Sequence, residues 1–145
     1  MNFIKSRFRL KDASLYPACV AIILFIVAAI VYPLTAANEF NPVISGQLIA
    51  MLYVASAVEL LSLFVPFKEV RAVGFFLALY NLIIYAGTQG NYLANLLVAI
   101  DNHAPSASLV SMIIMLVLAL LCTLASVVTL TEKKAGNAIP APKGE

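Results

Sequence analysis

Glu59 is the one acidic or basic side chain inside any of the four long apolar runs of this chain, with Ser56 and Ser62 three residues to either side. On a helix that spacing brings all three close to one face. A carboxyl group in such a run does one of two jobs. It binds a proton or a cation, or it forms a polar clasp between helices. Charged side chains at the centre of a membrane helix cost about 2.5–3.5 kcal/mol on insertion scales, so Glu59 needs partners. It stands seven residues before Pro66, about 10 Å along a helix. Asn81 is expected at a similar depth in the following run, and Tyr80 or Tyr85 could also reach it.

Other chemistry is sparse. There is no HExxH, GxSxG, Walker sequence or CxxC. Asp101 and His103 share one linker, but two ligands fall short of the three or four that hold zinc, so the expectation is a solvated, pH-sensitive loop and no metal site. Cys19 and Cys122 lie inside apolar runs without ligand spacing, which assigns them to packing. The residues imply no cofactor and no enzyme activity.

The elements that must carry these residues follow from composition and charge. The 145 residues are 63% hydrophobic, with a mean hydropathy of +0.99, far outside the range of a soluble domain. Basic residues occur in three stretches: Lys5, Arg7, Arg9 and Lys11; Lys68 and Arg71; and Lys133, Lys134 and Lys143. The linkers around 38–42 and 88–105 have none. Basic segments stay on the cytoplasmic side of a membrane. The fold class expected is therefore all-α: four transmembrane helices in an antiparallel bundle with both termini cytoplasmic. The net charge of +2 reflects this topology rather than affinity for nucleic acid.

A basic segment over 1–13 precedes a four-span membrane domain over 14–131, and a flexible cytoplasmic tail is expected over 132–145. The spans are placed at 14–37, 43–66, 72–88 and 106–131. Asp12 or Ser14 could cap the first, and Tyr16 and Tyr32 would mark its two membrane interfaces. Its length argues for a retained anchor rather than a cleaved signal peptide. Between spans three and four, Leu93, Leu96, Leu97 and Ile100 recur at helical spacing, predicting a short amphipathic helix on the outer surface over 91–101. Spans two and three, joined by a very short turn, should be neighbours.

Small residues mark the expected contacts: Gly74 and Ala78 in span three, and Ser111, Ala119, Cys122 and Ser126 in span four. With Ser56, Glu59, Ser62, Asn81 and Tyr85 they form the candidate site and helix-packing face. The span count resembles that of tetraspan scaffolds and small multidrug transporters. However, the first span lacks an acidic residue and the outer loops lack paired cysteines, so no family is assigned. The reading is a non-enzymatic protein of the bacterial cytoplasmic membrane that works by helix association. It would act as an accessory or assembly subunit of a larger membrane complex, or as a homo-oligomer, with lipid around it. A small oligomeric transporter or channel using Glu59 as its proton or cation site is the alternative. A membrane immunity or inhibitor protein is the third.

Overall fold

The computed structural model describes residues 13–35, 44–65, 67–90, 94 and 107–138. Four helices account for nearly all of them: α1 (Leu15–Thr35), α2 (Gly46–Phe64), α3 (Lys68–Thr88) and α4 (Ala107–Ala138). Each contains a stretch long and apolar enough to cross a membrane. Helix α1 packs against α2 and α4, and α3 packs against the same two, so chain order is also the order around the bundle.

One spacing rule governs all four contacts. The buried positions are Ala18, Ala21, Phe25, Ala28, Ala29 and Tyr32 in α1, and Leu48, Leu52, Ala55, Ser56, Glu59 and Ser62 in α2. In α3 they are Arg71, Gly74, Ala78, Asn81 and Tyr85. In α4 they are Leu109, Met112, Leu116, Ala119, Thr123, Ser126 and Leu130. Apart from Ala29 and Ser56, which widen the seam beside Ala28 and Ala55, steps of three and four alternate, the repeat of helices that keep one seam turned towards their neighbours. The opposite faces carry large apolar side chains. Ile23, Ile30, Phe76, Ile83, Ile114 and Leu121 are each more than half exposed, as expected of groups meeting lipid.

Local signals set the helix ends. Ser45 caps α2, its hydroxyl oxygen accepting from the Leu48 N–H at 3.3 Å. Span three begins earlier than its hydropathy suggests, at Lys68 rather than near 72, because Lys-Glu-Val-Arg is itself good helix-forming sequence. Arg71 therefore belongs to the first turn of α3 and not to a loop. Helix α4 continues beyond 131 to Ala138, although its apolar stretch stops at Glu132. Glu-Lys-Lys-Ala favours helix, so part of the tail expected to be flexible is a polar extension of the last span. The outer amphipathic helix expected over 91–101 lies outside the described residues, apart from Ala94.

Tyr32 also departs from expectation. It is 0% exposed, and its hydroxyl oxygen accepts the Ser45 N–H at 3.0 Å. It ties α1 to the start of α2 instead of anchoring in the headgroups, because the three-four seam of α1 runs through position 32. Tyr16, half-turned outward, keeps the expected exposure.

These burials separate two otherwise similar substitutions. Phe25→Ala should lower stability by about 3 kcal/mol through the cavity it leaves. Ile23→Ala, on the lipid side, should change it by less than about 1 kcal/mol. Reversible unfolding in mixed micelles measures both, and equal losses would contradict the inward seam.

Candidate functional site

Polar side chains on the inner seam gather towards one end of the bundle. Glu59 is 0% exposed, and its carboxyl group lies directly on Gly74 of α3. A Cβ at position 74 would overlap Oε1 and come within 2.8 Å of Cδ. Glycine here makes room for the acid. The Ser62 hydroxyl donates to the Glu59 carbonyl oxygen at 2.7 Å and lies 3.3 Å from Oε2. Oε1 is shielded and has no hydrogen-bond partner among the described residues.

Arg71, 3% exposed, lies one step of three before Gly74 on the same buried face of α3. Its Nη1 donates to the Ser14 carbonyl oxygen at 3.2 Å, to the Ser126 carbonyl oxygen at 3.2 Å and to Ser126 Oγ at 3.1 Å. One guanidinium group thereby joins α3 to the residue before α1 and to α4. With Glu59 and Ser62 on α2, three helices and the residue before α1 contribute polar groups to this end of the bundle. The burial of Arg71 was not expected from sequence, where it marks topology. The signal was nevertheless present: 71 continues the 74, 78, 81, 85 stripe by one step of three.

Asn81 sits elsewhere on the α2–α3 contact. Its Nδ2 donates to the Met51 carbonyl oxygen at 3.3 Å, and Met51 is eight residues, about 12 Å, before Glu59 along α2. Both residues bridge the same helix pair, but at different levels, so the expected joint clasp of Glu59 with Asn81 divides into two contacts. The earlier start of α3 explains the offset, since it places Gly74 rather than Asn81 beside the acid. Asn81 Oδ1 is a second shielded acceptor without a partner among the described residues, and Gln89 Oε1 is a third.

Tyr85 belongs to an aromatic group at the opposite end. Its ring meets Tyr32 edge-on, with centroids 6.1 Å apart and planes at 78°. Near it, Gln47 Nε2 donates to the Tyr80 hydroxyl oxygen at 3.0 Å on the exposed side. Neither tyrosine makes a hydrogen bond to Glu59. Ser56 is buried beside Ala55 on the inner face of α2.

Of the small residues expected to pack, Gly74, Ala78, Ala119 and Ser126 lie inside. Ser111 is exposed, and its hydroxyl donates to the Ala107 carbonyl oxygen of its own helix at 2.7 Å. Cys122 is only half-buried. The seam of α4 passes instead through Leu109, Met112 and Leu116, bulk that the alanine-lined face of α1 accommodates. Among the described residues, no group of three or more His, Cys, Asp or Glu side chains could hold a metal ion.

The class that fold and site define is an all-helical protein with four helices fit to span a membrane and a buried acid–guanidinium cluster between them. No known family model, curated protein or solved structure matches the chain.

The fit of Glu59 over Gly74 predicts a non-additive pair. Gly74→Ala should destabilise the fold by about 1–3 kcal/mol by overpacking. Adding Glu59→Ala should return most of that loss, because the obstructing carboxyl is gone. A double-mutant cycle in micelles checks it, and simple additivity would argue against the contact.

Proposed function

We propose that this is a non-enzymatic protein of the bacterial cytoplasmic membrane that acts by helix association, as an accessory or assembly subunit of a larger membrane complex or as a homo-oligomer. The observation that carries the reading is the direction of its polar groups. Glu59, Ser62, Arg71, Asn81, Thr123 and Ser126 all point into the bundle, whereas its outer surface is dominated by large apolar side chains. A partner inside the membrane meets mainly aliphatic and aromatic helix faces, which associate through packing.

The orientation proposed is an antiparallel bundle with both termini cytoplasmic. Contacts between α2 and α3 support it: Glu59 meets Gly74 and Met51 meets Asn81, so positions fall along one helix as they rise along the other. Arg71 draws together Ser14, its own first turn and the late α4 residue Ser126. Those three points adjoin the three basic stretches of the sequence, in keeping with a common cytoplasmic end. Lys68 is the exposed basic group of the middle stretch.

Gentle extraction from the native membrane followed by mass measurement of the intact complex tests association. A larger membrane protein in fixed ratio, or a defined homo-oligomer, is the expected result. A chain that stays monomeric, both in that measurement and in single-molecule counting within the membrane, would refute it.

A further inference from the structure

The facing sides of α2 and α3 carry a hydrogen-bonding side chain at nearly every level of the bundle. Glu59 lies on Gly74, and Asn81 meets the backbone of Met51. Counting between those two contacts puts Ser56, also buried, at the level of Ala78. Tyr85 and Gln89, 4% and 2% exposed, continue the α3 stripe by steps of four. Where α3 offers only glycine or alanine, α2 supplies the polar group. The line runs from the polar end of the bundle to the tyrosine end. The other half of the interior has nothing comparable, since the buried residues of α1 from Ala18 to Ala29 and of α4 from Leu109 to Ala119 are apolar.

Three oxygens on this line share one deficit. Glu59 Oε1, Asn81 Oδ1 and Gln89 Oε1 are all shielded acceptors without a donor among the described residues. Buried acceptors are rarely left in that condition, and three on one seam point to a donor that serves them all. Water is such a donor: a buried molecule makes about three hydrogen bonds to polar groups of the protein. The buried side chains between Glu59 and Asn81 are Ala55, Ser56 and Ala78, all small, so a water there displaces no bulky group.

We propose that waters seated on Glu59 Oε1, Asn81 Oδ1 and Gln89 Oε1 form a proton-conducting file along the α2–α3 seam. A proton entering at one end bonds to the first water, which passes one of its own hydrogens to the next oxygen. Each transfer makes one O–H bond and breaks another, so one charge crosses and the protein is left unchanged. The hydroxyls of Ser56 and Tyr85 both give and accept hydrogens, and they stand between the three acceptors as links. The Glu59 carboxyl rests directly on Gly74, so no hydrated metal cation passes that point. This activity uses only inward groups of a single chain and stands apart from association through the outer faces.

The test reconstitutes the full chain in phosphatidylcholine vesicles that contain a pH-sensitive dye, with potassium and valinomycin setting the membrane potential. The lumen should change pH faster than in protein-free vesicles, and Asn81→Leu should return the rate to the protein-free value. Ser111→Ala, on the outside of α4, should conduct as the parent chain does. Water-edited solid-state NMR gives a second readout, in which water magnetisation should reach the Asn81 side-chain amide. Proton entry no faster than in protein-free vesicles would overturn the proposal, as would an Asn81 amide that receives no magnetisation. Equal sodium entry, or an inserted Asn81→Leu chain that conducts fully, would also count against it. Should Asn81→Leu fail to insert, Gln89→Leu takes its place with the same expected loss, and an unchanged rate there is equally contrary.

Discussion

A guanidinium group stays charged at any physiological pH, so wherever Arg71 is buried the fold must bring oxygen atoms to it. At the start of α3 those oxygens come from two other elements. A backbone carbonyl precedes α1, and a carbonyl and a hydroxyl belong to one residue of α4. The geometry of that end follows from this demand. Ser14 must lie at the level of Ser126, and α3 must sit between them. Each acceptor removed takes away part of what offsets the cost of burying this charge.

The rest of the interior is arranged around the same scarcity of hydrogen-bonding partners. In hydrocarbon no water completes an unfinished polar group. Asn81 finds a backbone carbonyl on α2, and Tyr32 receives an N–H at the amino end of α2, where helices leave donors unused. Between the polar end and the tyrosines lies an apolar middle that includes Phe25, Leu52, Ala55, Ala78 and Leu116. Small residues on α1 oppose larger ones on its neighbours, so the backbones approach without leaving voids.

Much of the fold was legible because a bilayer permits so few solutions. Four apolar runs of sufficient length already give four helices, and the structure moves most of their ends by only a few residues. The inner faces were harder to read. Small residues attract attention as packing positions, yet α4 turns Met112 and Leu116 inward and Ser111 outward, because α1 supplies the small partners. Gly74 and Glu59 were each visible as candidates. Their contact was not, since it depends on where α3 starts, and hydropathy locates apolar stretches rather than first turns. Arg71 was hidden for a related reason. A basic residue at a span boundary ordinarily faces headgroups, and only the continuation of the α3 stripe says otherwise.

The hydroxyls of the bundle carry one last consequence. Thr35, Ser111, Thr129 and Thr131 each donate to the carbonyl four residues earlier in their own helix. Such a group has spent its hydrogen locally and offers a neighbour only an acceptor oxygen, for which an apolar helix face has no donor. Where these residues reach the surface they are close to mute. What a neighbouring helix can recognise there is relief, the succession of bumps and hollows, so the vocabulary of the lipid-facing surface is steric.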